Sequence, residues 1–319
     1  MVTVSVLICT HRRPDRLAHL LDDLTRQSRL PDEIVIVEND LIPTTEDAVT
    51  AFASRVAFPV RYAVEPRKNI SLTRNHTVRL ASGDWLAFVD DDERVPTHWL
   101  EKMLDTAILF DAEGVLGPVV CVPPPDAPPW IRRGNLYAEH HAITGAPVRR
   151  ERMWVGNALL RGDLVRAEPG PFDEKMGLTG GEDSDMLARL TQRGMKIVWC
   201  EEAAVMEPVE PARLKPRWIL LRAMRGGQTY ARLWRLGRYG DVGALALAVF
   251  MLRAVVQALI ALALALLLLP AGRHRSMYWL AKAAANTGKL TTLTGWRYEE
   301  YAGSDDDDDE PVAVTPGDR

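Results

Sequence analysis

The chain opens on a β-branched apolar run, VTVSVLIC, followed by a loop, THRRPDR, and by leucines at 17, 20, 21 and 24, the spacing of one helical face. A second apolar run, DEIVIVEND, closes on acids and asparagine. A third, VRYAVE, precedes PRKNISLTRNHTVRLA, whose second half reads as a helix stopped by Gly83. DWLAFVDDDE follows as a buried strand that runs straight into three aspartates. A helix over Thr97–Phe110 and a strand at GVLGPVV complete the series. Strands joined by helical crossovers pair in parallel, so this order predicts an α/β fold with an open, Rossmann-like, mostly parallel sheet flanked by helices.

The texture changes at Pro118. PVVCVPPPDAPPWIRRGN carries too much proline for a regular ladder and is expected as a loop crossing the carboxyl edge of the sheet. MWVGNALLRGDLV reads as a strand with a Gly-Asn bend, and GGEDSDMLARLTQRGM as a capped helix ending at Gly194. Beyond Pro216 the pattern is helical, with a nearly all-apolar stretch from Gly243 to Leu269 that holds Arg253 and Gln257. The 319 residues suffice for one sizeable core and an appendage. The expected organisation is a catalytic domain over 1–210, a basic and apolar helical region that associates with membrane over 211–303, and a disordered acidic tail over 304–319.

The formal net charge of −4 conceals a segregation of sign. Between Pro211 and Gly240 stand eight Arg and Lys residues and no acid, whereas Asp305 to Glu310 is unbroken acid. Cys9, Cys121 and Cys200 have neither zinc spacing nor the look of a disulfide framework, which points to a reducing compartment. The first residues form a strand pattern instead of a secretion signal, so the catalytic part is expected in the cytoplasm.

Ligands of open α/β sheets bind beyond the carboxyl ends of the strands, where Asp90, Asp91 and Asp92 stand. A D-x-D pair can hold Mg2+ or Mn2+ between carboxylates and substrate phosphates. The bland alternative is a solvated acidic loop or a helix cap. Thr10 and Arg12 after the first strand, and Glu38, Asn39 and Asp40 after the second, fall along the same edge and suit a nucleoside and its diphosphate. Arg74 adds a fork for phosphate or base. A second acidic cluster, Glu182 and Asp183, follows Gly180 and Gly181 at a helix start. It either supplies a general base or only complements the helix dipole.

Together VLICTHRRP, IVIVEND, NISLTRN, AFVDDDE, WVGNALLR and GGEDSDMLARL resemble the family 2 inverting glycosyltransferases of the GT-A fold, above all the bacterial branch that builds exopolysaccharides such as succinoglycan. The resemblance spans roughly residues 1 to 225. It implies a nucleotide-sugar donor (a UDP-sugar), a lipid-linked or saccharide acceptor, a divalent Mn2+ or Mg2+ cofactor, and work at the cytoplasmic face of the bacterial inner membrane. It places Thr10, Arg12 and Glu38 at the nucleoside, Asp90 and Asp91 at the ribose and diphosphate, and Asp92, with Asp90, at the metal. Trp154, Gly156 and Asn157 would border donor sugar and acceptor; Asp183 would be the catalytic base, with Glu182 the second candidate. The chain departs from the family pattern in three places. Glu38 replaces the commoner aspartate, leaving open whether Glu38 or Asp40 meets the base. Glu207 stands where some relatives place a histidine. Leu214 takes the Gln position of a Q-x-x-R-W motif ahead of Arg217 and Trp218, so processive elongation is not expected.

Two other classes compete. A phosphohydrolase wants a nucleophilic aspartate in a D-x-D-x-[TV] turn and a later lysine, which DDDER matches poorly. A silent membrane scaffold would not need both acidic clusters intact. No nucleic-acid partner is expected. The apolar stretch over 242–269 allows a crossing helix, a buried core helix, or a helix or hairpin embedded in one leaflet. Arg253 within it, the basic 211–240 segment before it, and Arg273, His274 and Arg275 after it favour the embedded anchor with both flanks cytoplasmic.

Overall fold

The computed structural model describes residues 2–134, 136–137, 140–240, 242–299 and 312–314. They form two compact units, Met1–Cys121 with Glu139–Glu207, and Val122–Ala138 with Pro208–Arg319. The chain runs β1 (Val4–Thr10), α1 (Pro14–Thr25), β2 (Glu33–Glu38), α2 (Glu46–Ala53), β3 (Val60–Val64), α3 (Ile70–Leu80), β4 (Trp85–Val89), α4 (Trp99–Leu109) and β5 (Gly114–Leu116). After β6 (Val119–Val122) and α5 (Pro129–Gly134) come β7 (Asn157–Arg161), α6 (Gly162–Arg166), α7 (Glu182–Gln192), β8 (Ile197–Trp199) and β9 (Val205–Pro208).

The first unit is built on a seven-stranded sheet ordered β3-β2-β1-β4-β7-β5-β8. The neighbours β3, β2, β1 and β4 are parallel, β7 is antiparallel to β4 and β5, and β5 is parallel to β8. Strands are doubly buried and their residues alternate between faces. Val6 and Ile8 join Leu17, Leu20, Leu21 and Leu24 of α1, while Leu7 joins Leu86, Phe172, Met186 and Leu187 on the other side. The leucine spacing of α1 therefore reads its buried face correctly. The strand expected at GVLGPVV divides into β5 and β6, because Gly117 and Pro118 interrupt the pairing.

The sheet order turns back at β1, with β2 and β3 on one side and β4 on the other, which makes the β1/β4 carboxyl edge the switch point. Val89 pairs with Asn157, so the start of antiparallel β7 arrives at that same edge.

The second unit contains α5, then α8 (Pro216–Arg235), α9 (Ala244–Leu267), α10 (Arg273–Thr291) and the antiparallel pair β10 (Arg297–Glu299) and β11 (Val312–Val314). Its extent differs from the expected 211–303 in also taking residues 122–138. Within it Tyr137 stacks on Trp218 at 6.3 Å and the Arg273 guanidinium lies 4.8 Å over the Trp130 ring. Apart from 312–314, the tail expected to be disordered lies outside the described residues.

The apolar segment is one helix, continuous through Arg253; the turn comes only after Leu267, so no hairpin forms within 242–269. Helix α9 is long and apolar enough to cross a membrane by length and composition. Its buried positions are Ala254, Ala261 and Ala265, whereas Leu245, Leu252, Leu259 and Leu266 are exposed. A core helix has the reverse arrangement, large residues inward.

Candidate active site

The candidate site of the first unit gathers the ends of β1, β2 and β4, the starts of α1 and α7, and Arg74 of α3. Thr10, the last residue of β1, donates its hydroxyl to Asp91 Oδ2 at 2.7 Å. Arg12 holds a left-handed backbone, φ 51°, uncommon outside glycine, and its guanidinium pairs with Asp40. That pairing holds the Asp40 carboxyl below the usual aspartate range: burial opposes it, but Arg12 and the Ile42 amide outweigh burial.

Arg13 and Arg16, which the sequence reading passed over, face the aspartates. Arg13 Nη1 donates to Asp91 Oδ1 at 3.2 Å and Asp92 Oδ2 at 3.0 Å, and Arg16 Nη1 lies 3.6 Å from the same Asp92 oxygen. The signal was present as an i, i+3 arginine pair at the start of α1, one side of a first turn.

Arg74 links the two acidic clusters. Its guanidinium donates to Glu182 Oε1, lies 3.5 Å from Asp90 Oδ1, and sits 5.8 Å over the Phe172 ring. Asp183 is placed by backbone amides: Oδ1 accepts from Ser184 N at 2.7 Å and Oδ2 from Val155 N at 3.4 Å. Gly180 and Gly181 bring the chain to that point with φ of 75° and 92°, which side-chain-bearing residues adopt at a cost.

The Asp90 carboxyl, 48% exposed at its side chain, is raised by its place in the crowded cleft; Arg74 opposes this, while Asp92, Glu207 and Asp183 add to it. Asp91 is pushed up to about 6 by burial, against Arg13 and with Asp92. Glu93, 2 % exposed, is raised well above the ordinary range by burial and then by Asp90 and Asp92, and its Oε2 accepts from the Asp90 amide at 3.1 Å. Among the described residues no three carboxylate, imidazole or thiol groups close on one point as a self-sufficient metal cage. Mg2+ and Mn2+ do not ask for one: one or two carboxylates with substrate phosphates suffice, and Asp90 and Asp92 are oxygen donors of that chemical type. The residues present fit such an ion.

Two expected contacts are set apart from this group. Glu38 is fully buried, and its carboxylate accepts from Thr44 Oγ1 at 2.9 Å, Thr45 Oγ1 at 2.6 Å and Tyr62 Oη at 2.5 Å. Both of its oxygens accept hydrogen bonds from within the protein, whereas Asp40, the other candidate for the base, pairs with Arg12. Asn157 is likewise buried: its amide accepts from Trp99 Nε1 at 2.8 Å and donates to the Pro118 and Ala203 carbonyls at 2.9 and 2.7 Å. It braces β7 instead of lining the cleft. Gly156 does lie at the aspartates, where a β-carbon would come 3.1 Å from Asp90 Oδ2. Trp154 is half-buried against Trp199.

A doubly wound sheet with an aspartate cluster at its switch point and a carboxylate at a facing helix start is the framework of a glycosyltransferase. The chain belongs to glycosyl transferase family 2, whose profile matches residues 5–156. It is 34% identical over 233 residues to the succinoglycan biosynthesis protein ExoM of Rhizobium meliloti, covering 72% of this chain and 74% of that one. It is 28% identical over 226 residues to the galactofuranosyltransferase GlfT1 of Mycobacterium tuberculosis, covering 67% and 73%. Residues 1–349 of S. aureus TarS, solved in complex with UDP, share the fold at a TM-score of 0.52 and 15% identity, over 99% of this chain and 97% of that one.

Proposed function

We propose that the enzyme moves a hexose from a UDP-sugar to a lipid-linked or saccharide acceptor in bacterial exopolysaccharide assembly, one residue at a time and with inversion at the anomeric carbon. The observation that carries this reading is the pairing of Asp183, held by two backbone amides, with the Asp90–Asp92 cluster across the Arg74 bridge. Likeness to ExoM and GlfT1 supports the glycan class, and UDP in the TarS structure supports the donor.

In this reading Asp40 and Arg12 meet the nucleoside, and Thr10 holds Asp91 in place for the ribose and diphosphate. Asp183 takes the proton of the acceptor hydroxyl as its oxygen attacks C1 from the face opposite the leaving group. The C1–O bond breaks and its electron pair leaves with the nucleoside diphosphate. Arg74 fixes Glu182 and Asp90, so Glu182 serves as a positioning partner and Asp183 as the base. Asp92 and Asp90 would hold a Mn2+ or Mg2+ ion, which supplies Lewis-acid stabilisation to the leaving diphosphate.

The same reading places the enzyme at the cytoplasmic face of the inner membrane. The outward leucines of α9 would enter the acyl boundary, with Arg253 exposed toward the headgroups and the eight basic residues of 211–240 against anionic lipid.

The test is transfer by purified full-length enzyme from a panel of UDP-sugars to a membrane lipid extract, with EDTA, Mn2+ or Mg2+. Release of UDP and an inverted anomeric proton coupling are expected. A retained configuration, or no donor turned over by any combination, would overturn it.

A further inference from the structure

The carboxylate assigned to the cation is already occupied by protein charge. Asp92 is 7 % exposed at its side chain because Arg13 donates to it at 3.0 Å and Arg16 lies at 3.6 Å. Both arginines come from the start of α1. Arg13 is the residue before α1, Pro14 sets the entry of the helix, and Arg16 sits in its first turn, at the positive end of the helix dipole. Arg13 keeps Asp91 as a second partner, at 3.2 Å.

Three charges then have to be reconciled. A divalent cation arriving alone at Asp92 meets two guanidinium groups within a few ångströms. A diphosphate arriving alone meets Asp90, Asp91 and Asp92. When cation and diphosphate arrive together, the cation takes Asp92 and the displaced guanidiniums find phosphate oxygens, for which their fork geometry is suited.

We propose that Arg13 and Arg16 are resident counter-cations of Asp92 that pass to the donor diphosphate when the divalent ion binds, so that ion and nucleoside diphosphate bind synergistically and each binds weakly alone. The proposal rests on the reading of the chain as a cation-using nucleotide-sugar transferase. Linkage makes the effect reciprocal: UDP tightens the ion by the factor by which the ion tightens UDP.

The experiment is an electron paramagnetic resonance titration of Mn2+ on the full-length protein, with and without UDP, in wild type and in Arg13→Gln, Arg16→Gln and the double variant. UDP affinity is measured in parallel by calorimetry without metal. In wild type, UDP should tighten Mn2+ by roughly 5- to 150-fold, the usual span of coupling between two sites. In the double variant, Mn2+ alone should bind about ten-fold tighter, because two like charges have left its site, and metal-free UDP should bind more weakly. Mn2+ affinity and coupling unchanged in a folded double variant would overturn the proposal while leaving the functional reading intact. If the double variant does not fold, Arg16→Gln alone must show a smaller shift of the same sign, and no shift there overturns it equally. A wild type that takes up no Mn2+ even with UDP would instead overturn the cation-using reading, and the proposal with it.

Discussion

The Arg74 guanidinium on α3 donates to Glu182 Oε1 at the first turn of α7, across 108 residues of chain, and both side chains are buried. The same group lies 3.5 Å from Asp90. One cation thus ties the two acidic clusters together, and it links α3 to the start of α7 through the Glu182 side chain.

Arg74→Ala should cost about 3–5 kcal/mol, the scale for leaving a buried partner charge uncompensated. Chemical denaturation at neutral pH measures it. A stability equal to wild type would mean that Glu182 and Asp90 do not need this counter-charge.

Asp183→Asn should lower turnover by roughly 10²–10⁴-fold, the range of general acid–base help, without loss of stability or UDP affinity. The amide oxygen still accepts the Ser184 N–H that now binds Asp183 at 2.7 Å. Should Glu182→Gln damage turnover more while staying folded, the base assignment moves one residue.

Glu38 makes folding pH-dependent. Burial would raise its carboxyl, but hydrogen bonds from Thr45, Tyr62 and Thr44 win and hold it below the usual glutamate value. A depressed folded-state pKa stabilises above the unfolded value of about 4.3 and loses that stability as pH falls through the folded one. Wild type and Glu38→Gln should therefore differ at pH 7 and converge in acid. Tyr62→Phe should cost about 1.5–3 kcal/mol at pH 7, as expected for a hydrogen bond to a charged group. Parallel unfolding curves at every pH would remove the Glu38 assignment.

Helices α8 and α10 cross on two glycines. A β-carbon on Gly227 would come 1.8 Å from the Ala285 carbonyl oxygen, and one on Gly288 would come 2.0 Å from that of Met224. Gly227→Val or Gly288→Val should destabilise the second unit by at least the roughly 1–3 kcal/mol of ordinary overpacking, since backbone cannot repack as side chains do. Limited proteolysis within 208–299 should accelerate. Unaltered cleavage would show that the helices slide apart at no cost.

Full-length protein should float with anionic vesicles, less so in high salt, and Leu252→Glu with Leu259→Glu should abolish flotation without loosening the fold, because both positions are exposed on α9. Ala261, by contrast, is buried, so Ala261→Glu should unfold the unit. Flotation unaffected by the two outward glutamates would take α9 off the lipid.

Much of the candidate site was legible because its residues sit at the ends of strands whose apolar runs are unmistakable. Thr10 after VTVSVLIC and Asp90 after DWLAFV are placed by period and chain order alone. Glu38 and Asn157 share a placement that chain order does not reveal: each stands at a strand end, like its neighbours, but its side chain turns inward. Glu38 meets Tyr62 of the adjacent strand, and Asn157 meets Trp99 of α4. Nothing local marks which way a terminal polar side chain turns.

Local pattern by itself determined most of the strand and helix identities, the parallel crossovers among β1 to β4, the carboxyl edge as the place where Asp90 to Asp92 fall, and the apolar character of α9. These follow from periods of two and 3.6 residues and from the handed, short connections of α/β chains. Only the tertiary structure decided the partners: Arg13 and Arg16 on Asp92, Arg74 between Asp90 and Glu182, and Gly227 against Ala285. Such pairs lie from 16 residues (Arg74 and Asp90) to 108 residues (Arg74 and Glu182) apart, and which charge neutralises which depends on the register at which β1, β4 and α7 converge. Neither residue of a pair carries that register in its own neighbourhood; it arises when the sheet closes and burial makes an uncompensated charge too costly to leave.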